Sequence, residues 1–323
     1  MENLVDPAIL FFALGALAGV IKSNLEIPPQ ISRFLSLYLL MALGLKGGFA
    51  LAHSGFTSQI ISTLACAVLL AIAIPATGYI ILKRLVSGFD AAAIAATYGS
   101  VSAVTFITAT QYLETNHIVY GGHMAAAMAL MESPAIMMAV LFANALRESP
   151  SLNSAEPARV TSISGILHES LTDGAQILLL GSMVIGFLTG DVGKAAMKPF
   201  SGDLFKGMLA FFLLDMGLMA AKNALQTKGT SPWLVAYAAI GPVVHAFVAL
   251  AVSKFAGLSQ GDGALLMILS ASASYIAVPA ALRFAIPEAR PALYFGMSLG
   301  VTFPLNIILG IPFYVYIARI ALN

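Results

Sequence analysis

Two short serine-rich runs, spaced alike in the two halves of the chain, are the residues best suited to hold a ligand. Tyr98 to Ala103 reads Tyr-Gly-Ser-Val-Ser-Ala, and Ser270 to Ser274 reads Ser-Ala-Ser-Ala-Ser. A shift of 172 positions places Ser100 on Ser272 and Ser102 on Ser274, and the same shift takes Asp90 to Asp262. Each run interrupts an apolar segment. Where a helix stops and restarts, the restarting half exposes unpaired N–H groups carrying partial positive charge, and such an end captures anions. Small side chains leave room for a ligand, serine hydroxyls add donors, and Gly99 permits a close backbone approach or a positive φ. The expected binding set is Gly99, Ser100, Val101, Ser102, Ser272, Ala273 and Ser274, with two helix ends converging on one small oxyanion. Close helix packing through small residues would produce one such run by itself. The repeated register is what favours a site.

Acidic residues at membrane depth suggest a coupling ion. Asp215 lies amid Leu-Ala-Phe-Phe-Leu-Leu-Asp-Met-Gly-Leu-Met-Ala-Ala, where an ionised carboxylate costs about 3 kcal/mol on insertion scales. Its counterpart is Ala42, so the repeat breaks its symmetry there, as a single cation site would require. Glu132 precedes Ser133-Pro134, and the matching stretch is Thr302, Phe303, Pro304, then Asn306. Proline frees the carbonyl four residues earlier, and freed carbonyls ligate Na⁺. The expected sodium set is Asp215, Glu132, Thr105, Thr302 and Asn306. Thr105 and Thr108 have a plainer reading, since threonine in membrane helices usually bonds its own i−4 carbonyl. No cofactor is expected, and no metal other than Na⁺. His123 and His245 are isolated from each other and from Cys66, the single cysteine. An enzyme reading, with Glu132 acting beside His123 or His245, would demand a water-filled catalytic cavity.

The elements that must position these residues are apolar helices. Hydrophobic residues make up 59% of the 323, charged residues only 10%, and the mean hydropathy is +0.91. Soluble domains carry roughly 25% charged residues, so lipid is the expected solvent. A net charge of +1 gives no case for nucleic acid. Apolar runs suggest ten spanning segments near 7–22, 31–52, 57–82, 90–111, 117–146, 165–189, 198–222, 231–256, 262–286 and 290–320. The first is read as a retained helix, not a signal peptide. Residues 148–163 form a hydrophilic linker between a first half, 1–147, and a second, 164–323. Leu43-Gly44-Leu45 matches Met216-Gly217-Leu218, and Pro134 matches Pro304. Five segments per half is odd, so the second half enters the membrane inverted. The expected fold is an all-α polytopic membrane protein of two inverted 5+5 repeats, with broken crossing helices in segments four and nine. Placing both termini outside puts ten Lys and Arg inside against six outside, as the positive-inside rule prefers. His168, Glu169 and Asp173 read as an interfacial turn.

The run from Asp90 to Phe106, its partner Ser270 to Pro279, and the segments Leu214-Asp215-Met216-Gly217-Leu218 and Met131-Glu132-Ser133-Pro134 resemble those of sodium-dependent bicarbonate symporters. The resemblance extends through nearly all ten segments. It implies bicarbonate contact at Ser100, Ser102, Ser272 and Ser274, and Na⁺ ligation at Asp215. It also implies a homotrimer in a bacterial inner membrane, elevator-like movement of a core against a gate, and a PII-like regulator at the cytoplasmic face. The linker is shorter than in members with that regulator. Another small anion, such as a short carboxylate, is the alternative substrate. Carrying one Na⁺ with bicarbonate would cancel an opposing electrical term of about 2.3 kcal/mol per 100 mV.

Overall fold

The computed structural model describes residues 6–54, 58–148, 174–226 and 231–322, and no strand occurs among them. The linker 148–163 lies outside these residues but for Glu148, and the turn at His168 to Asp173 lies wholly outside them. The helices are α1 (Pro7–Val20), α2 (Pro29–Ser54), α3 (Ser58–Leu82), α4 (Gly88–Gly99), α5 (Ala103–Thr115) and α6 (Met124–Glu148). After the linker come α7 (Gly174–Lys198), α8 (Phe205–Gln226), α9 (Pro232–Phe255), α10 (Gln260–Ala271) and α11 (Ala277–Ala285). The last stretch joins α12 (Pro291–Met297), α13 (Phe303–Leu305) and α14 (Ile311–Ala321) through π-helical turns at Ser298–Thr302 and Asn306–Gly310.

Local chemistry sets these boundaries. Proline stands at the first position of α1, α2, α9 and α12, where its missing N–H costs nothing. Serine caps the helices that matter most here: Ser87 accepts from Asp90 N, Ser102 from Thr105 N and Ser259 from Asp262 N. Gly190, at φ +52°, turns the chain inside α7 so that residues 191–198 leave the axis of the preceding helix. That left-handed conformation favours glycine.

Seven helical stretches among the described residues are long and apolar enough to cross a membrane. One of them, Gly174–Ala224, has 51 residues and covers α7 and α8, well beyond the roughly 20 that one crossing needs. α1 is a shorter apolar helix of 14 residues. Leu10, Phe11, Leu14 and Leu17 on α1 are exposed, as a lipid-facing helix requires.

Two tight helix pairs join the halves crosswise. α1 lies on α8, where a Cβ at Gly217 would run into the carbonyl oxygen of Phe12 and one at Gly15 into that of Leu214. α2 lies on α7, where Gly44 and Gly48 meet the carbonyls of Leu179 and Met183. Small residues let these backbones touch, which is how helices gain packing energy in lipid. Two polar ties also cross between the halves. Asp90 accepts from Arg290 N at 2.8 Å and Arg290 Nε at 3.0 Å. Asp262 accepts from Gly121 N at 2.6 Å and stands 3.8 Å from His123.

Those ties fix the directions of α4 and α10. α4 starts at the face carrying Arg290, and α10 starts at the face carrying Gly121, which α5 approaches. The two helices therefore run toward each other. α1 starts beside Gln111 and Thr115 near the end of α5, and Leu322 touches the start of α10 at Gly263. Both ends of the described chain thus lie on the Gly121 face.

Candidate functional site

The site forms where α4 and α10 stop. α4 ends at Gly99 and α5 begins at Ala103; α10 ends at Ala271 and α11 begins at Ala277. The extended backbone between them brings the two halves into direct contact. Ser102 N donates to Ser272 Oγ at 2.9 Å, and Ser272 Oγ donates to Leu269 O at 2.7 Å. Ser274 N donates to Thr97 O at 2.8 Å. Each break is held by groups from the other, so the two cannot separate without orphaning buried amides.

A cavity of about 70 Å³ opens beside this crossing, lined by Val101, Ser102, Ala103, Val104, Ser274, Tyr275, Ile276 and Ala277. One water needs about 10–15 Å³ by a comparable measure, so the space suits a small polyatomic ion or a few waters. The first i−4 bond of α5 runs from Phe106 N to Ser102 O. Ala103 and Val104, which line the cavity, therefore precede it and have no i−4 carbonyl within the helix to bond. α11 presents its own start at Ala277. Two helix N-termini face one small space, and its described lining residues include no cation and one carboxylate, Glu132.

Several buried oxygens around the crossing have no hydrogen-bond partner among the described residues: Ser100 Oγ, Thr105 Oγ1, Asp215 Oδ2 and Ser270 Oγ. Buried polar atoms are seldom left so. Most of them are oxygens able to accept as well as donate, and a cation or an anion is a suitable occupant of such surroundings.

A family model described as the Na⁺-dependent bicarbonate transporter superfamily matches residues 7–319, nearly the whole chain. The chain belongs to that superfamily. Among curated proteins, none matches it. Membership makes this protein a transporter and not an enzyme, and its several apolar helices make it a multi-pass membrane protein.

The residues expected to bind substrate in this superfamily member divide by position. Val101, Ser102 and Ser274 line the cavity. Ser272 holds the crossing together from behind, and Ala273 is packed into a core that includes Tyr98 and Val278. Ser100 is buried, and its hydroxyl has no partner among the described residues. Gly99 is helical, and its open choice between a positive φ and a close approach resolves to the latter. A Cβ there would meet Pro75 at 2.6 Å. The breaks are also narrower than the serine runs suggested. Tyr98 and Gly99 complete α4, and Ser270 lies within α10, because the helical bonds continue until the C-caps Ser100 and Ser272.

The expected sodium ligands are spread around the crossing. Thr302 is already committed, donating to Ala238 O at 2.6 Å and pairing with the Tyr98 hydroxyl at 2.7 Å. Asn306 donates to Ala271 O at 2.7 Å, which pins the last turn of α10. Glu132 lines the cavity and accepts from Gln176 at 3.0 Å. Asp215 is buried on α8 near Ser32 of α2. Thr108 bonds its own i−4 carbonyl, Val104, at 2.8 Å, as the plain reading holds. Thr105 does not, because its i−4 residue is Val101, in the break. Sequence reasoning missed Tyr275, Ser36 and Gln176, all on the cavity wall. Only Tyr275 had any signal, as the residue directly after the second serine run.

Proposed function

We propose that the protein takes up bicarbonate together with Na⁺ as a secondary symporter. The observation that carries this reading is the bond from Ser102 N to Ser272 Oγ, which sets two helix N-termini beside one cavity without a fixed cation. That arrangement suits a small planar oxyanion, whose charge is met by peptide dipoles and amide donors. A site without full positive charge also releases its ligand readily. Na⁺ in the neighbourhood of Asp215, Glu132, Thr105, Thr302 and Asn306 would offset the carboxylate and strengthen the crossing for the anion.

The fold behind this is two inverted repeats of five segments, 1–147 and 164–323, with α4–α5 and α10–α11 as the broken crossing pair. Its support is the matching of elements. α4 and α10 differ by 172 residues at both ends, and so do their N-caps, Ser87 and Ser259. The crosswise pairs α1–α8 and α2–α7 form one candidate body, a gate, against which the crossing helices would slide in an elevator-like cycle. Both termini lie outside a bacterial inner membrane, in keeping with the Lys and Arg distribution. The homotrimer and the PII-like regulator rest on the resemblance to sodium-dependent bicarbonate symporters.

The test is uptake of ¹⁴C-bicarbonate by purified protein in liposomes under an inward Na⁺ gradient. Uptake that requires Na⁺ and collapses in Ser102→Ala/Ser274→Ala is expected. Equal uptake without Na⁺, or a short carboxylate that is carried while bicarbonate is not, would overturn the reading.

A further inference from the structure

A second, larger cavity of about 740 Å³ lies on the Gly121 face of the molecule. Four lysines line it: Lys46 from α2, Lys194 and Lys198 from the bent end of α7, and Lys206 from α8. Among the described lining residues two carboxylates share the space, Glu114 and Asp191. Glu114 is already occupied, bound by Lys46 at 3.1 Å and by the Tyr120 hydroxyl at 3.0 Å. Lys46 also stands 4.1 Å over the ring of Phe205. Lys194, Lys198 and Lys206 are exposed to the cavity and have no ion pair among the described residues. Four lysines against two carboxylates leave a basin with an excess of two positive charges.

The basin points at the crossing. Its floor includes Leu43 and Phe106, both buried, and the smaller cavity is lined by Leu40 and Val104. Leu40 and Leu43 are neighbours on α2, so the two spaces lie about one helical turn apart, roughly 5 Å. The residues by which the two spaces approach along these helices, Leu40, Leu43, Val104 and Phe106, are all apolar. A cleft of one charge sign with low-dielectric walls focuses field lines and raises the local concentration of counter-ions.

We propose that this lysine basin is an anion antechamber: a shallow site that gathers small monovalent oxyanions and feeds them to the crossing. Specificity belongs to the crossing, and the basin governs arrival. The proposal rests on the anion reading above. It has one consequence that a merely structural role lacks, since a positive antechamber attracts the anion and repels Na⁺. Removing its charge must raise the half-saturation value for bicarbonate without raising that for Na⁺.

Two experiments test it. In the first, Lys194→Gln/Lys198→Gln/Lys206→Gln takes the basin from an excess of two positive charges to one negative. In liposome uptake, KM for bicarbonate should rise about three- to tenfold with Vmax retained. Half-saturation for Na⁺ should stay constant or fall. The triple Lys→Arg variant should match the wild type. An unchanged bicarbonate KM, or a parallel rise for both ions, overturns the proposal. The second experiment reads the local potential without any transport. A reporter Ala195→Cys is placed in the basin wall in a Cys66→Ser background, and its reaction with anionic and cationic methanethiosulfonates is timed. The anionic-to-cationic rate ratio should fall about tenfold when the three lysines become glutamine, and added salt should erase the difference. A ratio that ignores the lysines sinks the antechamber whatever the uptake shows. Failure of the wild type to carry bicarbonate would instead sink the proposed function, and the reagent ratio would still decide whether the basin collects anions.

Discussion

Ser272→Ala separates the residues that hold the crossing from those that face its ligand. The Ser272 hydroxyl accepts from Ser102 N at 2.9 Å and donates to Leu269 O at 2.7 Å. Leu269 O keeps a second donor, Ser272 N at 3.1 Å, so the loss falls on the Ser102 amide. That amide is buried, and an orphaned buried donor costs about 1–3 kcal/mol. At about 2 °C per kcal/mol for a chain of this size, the melting temperature should fall by roughly 2–6 °C. Ser102→Ala makes the contrast. It removes an N-cap contact of 3.2 Å to Thr105 N, worth about 0.5–1 kcal/mol at such length, but it strips a hydroxyl from the cavity wall. Thermal unfolding in detergent, paired with uptake kinetics, gives both readings. Ser272→Ala should lose stability and Vmax, whereas Ser102→Ala should keep most of its stability and raise the bicarbonate KM. If Ser102→Ala proves the less stable of the two, or Ser272→Ala melts within 1 °C of the wild type, the division of roles is wrong.

Four further outcomes are expected. Thr105→Val replaces an unpartnered hydroxyl by a methyl of the same shape. Stability should change by less than about 1 kcal/mol, while half-saturation for Na⁺ should rise at least tenfold if Thr105 is a ligand. Gly99→Ala drives a methyl into Pro75 at 2.6 Å, and overpacking of that kind costs about 1–3 kcal/mol, visible as a lower melting temperature without a selective effect on either ion. Gly217→Val pushes α8 off the Phe12 carbonyl on α1, and the yield of folded protein by size-exclusion profile should collapse. Glu288 is held below the usual carboxylate range by its bond to Arg147 at 2.7 Å. A depressed carboxylate stabilises above its unfolded pKa of about 4.3 and loses that contribution as pH falls. The pair is partly exposed, so Glu288→Gln should cost less than about 1 kcal/mol at pH 7, and the cost should shrink as pH falls below the unfolded value, by melting curves across that range.

Much of this fold was legible because its signals are local. The apolar run near 7–22 becomes the helix Pro7–Val20, and Gly44 and Gly217, which the sequence offered only as matching landmarks, are points of close packing. The site was legible to a lesser depth. Serine spacing pointed to this region, but it could not say which hydroxyl faces the cavity. Ser272 turns back to its own Leu269 carbonyl, and that choice depends on where Ser102 N arrives from 170 residues away. Ser36 and Gln176 were invisible for the same reason, since nothing in their neighbours' identities says which way a side chain points across a helix interface. The lysine basin was hidden because its members come from three helices, and two of them depend on the bend at Gly190.

The pattern of matched and unmatched positions carries a mechanical argument. Where the two halves must meet as equals, they match. Ser100 and Ser272 end their helices alike, Asp90 and Asp262 sit alike in the first turn, and each acid reaches across to the other half. The partners of those acids do not match. Asp90 takes three contacts from Arg290, whose charge is permanent, with Nη2 at 2.8 Å completing the set. Asp262 takes one short amide bond and a histidine at 3.8 Å. An amide donates to a carboxylate at both ends, but the Arg290 end adds two guanidinium contacts, so it is the stiffer of the two. If the crossing helices slide against α1, α2, α7 and α8 during transport, the Gly121 end should yield first. It is the end beside the lysine basin, where an arriving anion would need to pass the apolar residues Leu43 and Phe106.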